Sequence, residues 1–427
     1  MTTRTTSSPA SGGIDPLYWK KIVVVLCLGW AVIWIYRTVL TPIFPEIQAT
    51  IGAQSDTEMG LIASFYFFAY TGMQIPAGIL VDKFGKKIVL IPGFCLFIIA
   101  TLLIGNATSL HMIYAGSLLA GAGCGSYYGS AYSLSSESIP LEKRGLSTAI
   151  INSGSALGMG IGLIASSLLV KSVGMNWQVL LFMITFLLVL MTLVFFFVIK
   201  STPKQQPVAT ATVTAAPVVE EVNQNPGGLF SLKMISAYVM YFATCYGYYM
   251  IVTWLPSFLQ QERGFQGVAI GFSSALVAFA SVPGALFFSR MSDRFRNKKV
   301  SLIIFLEICA AVMLTCTVLS PDSTMLLISL ILYGLLGKLA VDPIMISFVA
   351  DNAPKKGYGT SFGVFNFFGM SSSVIAPLVT GMISDHTGSK VMGFYISAAI
   401  LVIGTLMFFT VNVLMKKHQT AKPALSQ

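Results

Sequence analysis

The chain has 427 residues, of which 55% are hydrophobic and only 10% charged, far below the roughly 25% charge usual in soluble domains. A water-soluble fold of this makeup would lack polar surface, and a β-barrel is excluded because its strands alternate while these apolar residues run continuously. The net charge of +10 sits in short segments between the apolar runs, which speaks for the positive-inside rule and against a nucleic-acid partner.

Apolar stretches of about twenty residues match a hydrocarbon core ~30 Å thick at ~1.5 Å rise per helical residue. In chain order they lie near residues 22–46, 58–80, 87–106, 111–136, 145–170, 176–199, 232–257, 267–289, 299–319, 325–350, 358–384 and 391–415. The expected fold is an all-α membrane protein of twelve transmembrane helices. Residues 1–21 read as a polar tail with no small-residue cleavage site, so no cleaved signal is expected, and residues 416–427 read as a second tail. With the N-terminus inside, the inner segments hold 21 of the 26 Lys and Arg residues, and the outer loops hold only Lys171, Arg263 and Lys390. This asymmetry puts both tails in the cytoplasm, with the spans in the cell (inner) membrane. Cys27, Cys95, Cys124, Cys245, Cys309 and Cys316 fall within apolar runs without metal-ligand spacing and read as small buried hydrophobes.

Between Lys200 and Phe230 the composition turns to Pro, Thr, Ala, Val and Gln, which cannot bury enough surface to fold alone. Residues 200–230 therefore read as a cytoplasmic linker between two blocks of six spans, 22–199 and 231–415. A sequence echo supports the division. Asp82-Lys83-Phe84-Gly85-Lys86-Lys87 after span 2 has its counterpart 211 residues later, after span 8, in Asp293-Arg294-Phe295-Arg296-Asn297-Lys298-Lys299.

In these features the chain resembles the major facilitator superfamily over all twelve spans, and the resemblance implies two pseudo-symmetric six-helix bundles. The segment of Gly78, Asp82, Lys83, Gly85 and Lys86 is similar to that superfamily's signature between spans 2 and 3. It implies a gate in which Gly78 lets helices approach, Asp82 meets a helix N-terminus or a cation across the seam, and the lysines lock the cytoplasmic side. Asp293 and Arg294 form a second, less regular copy, with Ser289 in place of the first glycine.

Several stretches resemble the anion:cation symporter branch, which carries sugar acids, phosphorylated sugars, vitamins and other organic anions. They are Tyr36-Arg37-Thr38 and Phe44-Pro45-Glu46-Ile47 in span 1, Ser64, Tyr70, Gln74, Ile75 and Pro76 in span 2, and Tyr248-Tyr249 with Thr253-Trp254-Leu255-Pro256 in span 7. Asp351, Pro354, Gly359, Gly363, Asn366 and Gly369 continue the likeness. Three positions depart from it. Tyr36 stands where the branch has Asp, and Ser117 followed by Gly121-Ala122-Gly123-Cys124-Gly125 replaces the branch's Arg and Gly-x-Gly-Glu-Gly. With Cys124 in the acidic position, the protein either couples to protons elsewhere or does not couple to them in that way.

Charges retained inside spans mark cavities or pathways, because each costs on the order of 2.5 to 3.5 kcal/mol at the bilayer centre. Arg37, near the middle of span 1, is a permanent cation that can grip a carboxylate with two parallel hydrogen bonds, or alternatively a structural arginine paired with a carboxylate. Lys338 and Asp342, one turn apart in span 10, read either as a pair that exchanges partners with substrate and proton or as a permanent ion pair. Glu307 in span 9 reads as a protonated or paired residue on a peripheral helix and is the second candidate proton site. Tyr36, Tyr66, Tyr70, Tyr127, Tyr128, Tyr132, Tyr248, Tyr249 and Asn366 complete the expected lining, which suits a solute with hydroxyls or an aromatic face. Gly154, Gly158, Gly160 and Gly162 read as close helix contacts.

The expected function is alternating-access transport of a small organic anion, a carboxylate or sugar acid, with proton symport and a modest preference for a monoanion. A drug or lipid exporter is the alternative, and a non-transporting sensor the third reading. An enzyme is not expected: there is no nucleophile–base constellation, and His111, His386 and His418 lie near span ends or in the tail. No cofactor and no metal are expected, and the partners are a small solute, protons and the lipid bilayer, with the chain a monomer.

Overall fold

The computed structural model describes residues 17–52, 55–140, 143–200, 228–295, 298–353 and 358–414. Most of the expected N-terminal tail and linker, the C-terminal tail, and Arg296, Asn297 and Pro354 lie outside these described residues. Span 1 is α1 (Tyr18–Val39), a 3-10 turn over Thr41–Ile43, and α2 (Phe44–Ile51). The interruption falls where Pro42 and Pro45 remove backbone donors. The first block continues with α3 (Asp56–Phe84), α4 (Lys86–Gly105), α5 (Leu110–Ser138), α6 (Arg144–Ser166) with a π turn over Ser167–Ser172, and α7 (Trp177–Val198). The second contains α8 (Leu232–Gln261), α9 (Val268–Arg294), α10 (Lys299–Leu319), α11 (Ser323–Leu336), α12 (Lys338–Asn352), α13 (Tyr358–Thr387) and α14 (Val391–Phe409).

These elements make twelve long helical runs among the described residues, and ten of them are long and apolar enough to cross a membrane. The other two, α3 and α5, have 29 residues each; α3 carries charged ends and α5 is rich in Gly, Ser and Tyr. Span 10 corrects the expectation of one continuous helix over 325–350. It breaks at Gly337, whose N–H still closes the last turn of α11 on the Tyr333 carbonyl, and Lys338 starts α12. A Cβ at Gly337 would lie 2.5 Å from that carbonyl oxygen, so the break requires glycine.

Within the first block α1 packs on α6, α3 on α5, and α4 on α5 and α7; within the second α9 packs on α11 and α12, α10 on α11 and α14, and α8 on α13 and α14. The expected glycine contacts are present: Cβ atoms on Gly154, Gly158 and Gly162 would fall 2.2, 2.2 and 2.7 Å from the carbonyl oxygens of Cys27, Ala31 and Ile35 on α1. Peripheral helices present apolar side chains outward, such as Phe186 and Phe197 on α7, Phe305 on α10 and Ile403 on α14. That surface would aggregate in water and suits lipid.

The two blocks meet along α3 with α13 and α6 with α9. We term the end bearing Tyr18, Phe84 and Lys86 the near end and the end bearing Asp56, Ser172 and Val391 the far end. On the α3 and α13 seam the far end is tight, since a Cβ on Gly60 would lie 2.4 Å from Pro377 O and one on Gly381 2.6 Å from Asp56 O. At the near end, Cβ atoms on Gly78 and Gly363 would meet nothing within 4 Å. The pair therefore diverges from a closed far end to an open near end.

Polar side chains hold the far end shut. Asp385, late in α13, accepts from the backbone N–H groups of Asp56 at 2.7 Å and Thr57 at 2.9 Å, and from the Thr57 hydroxyl. Lys390 donates to Asp56 Oδ2 at 2.7 Å and Gln261 Oε1 at 2.7 Å. Lys171 bridges Glu46 and Gln260, each at 2.8 Å.

Candidate substrate and coupling sites

Arg37 lies in the last turn of α1, partly buried between α3 and α5. Its Nε donates to the Tyr66 hydroxyl at 2.8 Å, and Nη2 lies 3.8 Å from Cys124 Sγ. Five rings surround it: the guanidinium carbon is 4.4 Å from the ring centre of Tyr70, 4.9 Å from Trp34, 5.4 Å from Tyr66, 5.5 Å from Phe67 and 5.6 Å from Trp30. Among the described residues no carboxylate pairs with it. Ring faces attract a cation by about 0.5 to 2 kcal/mol each without neutralising it, so one positive charge stays open to an anion. On the far side of Arg37 a cavity of about 30 Å³, lined by Tyr36, Tyr66 and Ser117 among others, has room for about one or two waters and no solute.

Lys338 is the opposite case. As the first residue of α12 it donates to Asp342 Oδ2 at 2.6 Å, one turn on, and its ammonium lies 5.4 Å from the Tyr248 ring and 5.7 Å from Tyr241. The other Asp342 oxygen, Oδ1, is buried with no hydrogen-bond partner among the described residues. The expected pairing is present, but at a helix start exposed by the Gly337 break rather than mid-helix.

Glu307 on α10 is 1% exposed and touches Thr244 Oγ1 on α8. That hydroxyl also lies 2.9 Å from the Met240 carbonyl oxygen. A hydroxyl has one hydrogen, so donation to Met240 leaves the Glu307 contact to a carboxyl proton. With no cation paired to it among the described residues, Glu307 is best satisfied as a neutral acid.

The aromatic expectations divide. Tyr36 is buried against Tyr66 and Phe97, with centroids 5.6 and 4.9 Å away. Tyr66 and Tyr70 face Arg37; Tyr248 reaches Met159 Sδ at 3.6 Å and Tyr249 reaches Met370 Sδ at 3.5 Å. Asn366 donates to Gln74 at 2.8 Å, bridging the blocks. Tyr128 is 41% exposed and packs on Tyr132, whose hydroxyl meets Asn152. Tyr127 is a correction: it is fully buried, bonded to the Leu26 carbonyl and packed on Phe94 and Phe195, a core residue and not lining.

Of the gate residues, Gly78 lies close against α5, where a Cβ on Gly129 would sit 3.6 Å from the Gly78 Cα, while a Cβ on Gly78 itself would meet nothing within 4 Å. Asp82, Lys83 and Gly85 are exposed, and Lys86 pairs with Glu137. Asp293 and Arg294 fall in the last turn of α9, with Arg294 exposed. Sequence reading missed Trp30 and Trp34. Their spacing of seven and three residues before Arg37 places all three on one helix face, which is the signal that finds them.

Two helical bundles closed at one end, with an arginine inside the first that no carboxylate pairs among the described residues, have the architecture of a multi-pass membrane transporter. The Major Facilitator Superfamily model matches residues 26–377 and 237–426, and the chain belongs to that family. It is similar to the probable sulfoacetate transporter SauU of Cupriavidus necator, 26% identical over 416 residues covering 92% of this chain and 94% of that one. It is also similar to the D-galactonate transporter of Escherichia coli, 24% identical over 408 residues covering 91% and 92%. A bacterial homolog of the human lysosomal transporter Spinster, solved inward-facing and occupied, superposes with a TM-score of 0.76 at 15% identity, over 93% of this chain and 97% of that one.

Proposed function

We propose that the protein carries a small organic anion, a carboxylate or related acid, by alternating access, with the anion's acid group on Arg37. The observation that carries this reading is the absence of a carboxylate at Arg37 among the described residues, in a site otherwise made of rings. Tyr66, Tyr70, Tyr248, Tyr249, Tyr128 and Asn366 line the path in this reading, Lys338 is the second anion contact, and Tyr36 backs the anchor. Asp342 is the proton-coupling group: protonation releases Lys338 to the cargo, and deprotonation restores the internal pair. Glu307 is the reserve proton site. Gly78, Asp82, Lys83, Gly85, Lys86, Asp293 and Arg294 gate the near end, which is the cytoplasmic one. The chain sits as a monomer in the cell (inner) membrane with both tails inside, its halves 22–199 and 231–415 joined through 200–230.

Names of the relatives support an organic-acid cargo, and the charge distribution supports the orientation. Counterflow in proteoliposomes with labelled sugar acids, monocarboxylates and a cationic dye tests the reading. Uptake of an acid that Arg37→Gln abolishes is expected; uptake of the dye alone overturns it.

A further inference from the structure

Aromatic faces dominate the surroundings of Arg37. Its described contacts are rings, the hydroxyls of Tyr66 and Tyr70 and one thiol, with no amide and no carboxylate. The amides of Gln74 and Asn366 are bonded to each other at 2.8 Å, and among the described residues the hydroxyls of Tyr248 and Tyr249 reach methionine sulfurs. A ring laid on these faces leaves no polar group unpaired, whereas each hydroxyl of a sugar acid would have to find its partner among a few tyrosine hydroxyls and one amide pair. Charge narrows the cargo further. In this state Lys338 is engaged by Asp342 at 2.6 Å, so Arg37 meets the acid group of an arriving cargo, and a monoanion binds without opening that pair.

Two ring contacts cross between the blocks: Trp34 on Tyr248 with centroids 6.3 Å apart, and Phe67 on Tyr249 at 4.7 Å, both edge-on. A flat guest slotted beside them touches both halves at once. In addition, the Trp30 indole N–H is buried with no partner among the described residues, on the ring 5.6 Å from the guanidinium carbon. That gives an acid group on Arg37 a second donor in its neighbourhood.

We infer that the cargo is an aromatic monoanion, an arene carboxylate or sulfonate, its acid group on Arg37 and its ring against Trp30, Trp34, Tyr70 and Tyr248. This rests on Arg37 as the anion anchor. The test is counterflow of labelled benzoate by the full chain in proteoliposomes, competed by D-gluconate, a polyhydroxylated monoanion, and by D-glucarate, a dianion. Benzoate is expected to outcompete both by about tenfold or more. Trp34→Leu is expected to erase that preference, and Trp34→Phe, which keeps a ring and guards against a folding defect, to retain it. Gluconate transported as well as benzoate, still dependent on Arg37, overturns the aromatic inference and leaves anion carriage standing. Transport of none of the three overturns both.

Discussion

Arg37 and Lys338 are both cations set among tyrosines within apolar spans, yet the charge of one is left open and that of the other is matched. Lys338 has Asp342 one turn away, while Arg37 has rings and, where a carboxylate stands in the resembled branch, Cys124. A lone charge costs on the order of 2.5 to 3.5 kcal/mol in the membrane interior and persists only where something outside the fold needs it. The paired lysine explains itself. The unpaired arginine points to a guest.

Arg37→Gln breaks the contrast most directly. Anion binding is expected to fall by about a hundredfold, consistent with losing charge-assisted hydrogen bonds of about 1.5 to 3 kcal/mol, while the melting temperature holds or rises; isothermal titration and a thermal melt check both. Asp342→Asn makes Lys338 resemble Arg37. Uptake is then expected to lose its dependence on a proton gradient while exchange persists, and dianions to bind more tightly than in the parent. Cys124→Glu makes Arg37 resemble Lys338. Affinity at neutral pH is expected to drop about tenfold and to recover on acidification, because protonating the new carboxyl frees the arginine. The smallest effect belongs to Glu307→Gln, a neutral replacement for a neutral acid, whose melting temperature and transport pH profile should match the parent's.

Much of the fold was legible because spans are long apolar runs, and α10 falls on its expected limits of 299–319. The break at Gly337 was not, since one glycine in an apolar run is compatible with a continuous helix until its carbonyl neighbours are known. Charged site residues announced themselves by standing in apolar surroundings, and the spacing of Lys338 and Asp342 forecast their contact. Trp30, Trp34 and Tyr127 carry no such flag: an aromatic in a span reads alike whether it faces a cation or a neighbouring helix. Gly78 was legible as a point of close approach, but which helix approaches it, α5 at Gly129, depends on the packing and not on the sequence.

The carboxylate of Asp385 stands in for the turn that every helix lacks at its start: it takes the first two amides of α3 from the other half of the molecule, while Ser55 takes the third, on Glu58. Parting the halves there strips those amides of their acceptor and, in the same movement, separates the buried ammonium of Lys390 from Asp56. At the other mouth the described link between the halves is the neutral pair of Asn366 and Gln74 amides at 2.8 Å. The empty carrier therefore rests with its lysine-rich mouth ajar, and each excursion to the opposite side begins with undoing a cap that one half of the protein lends to the other.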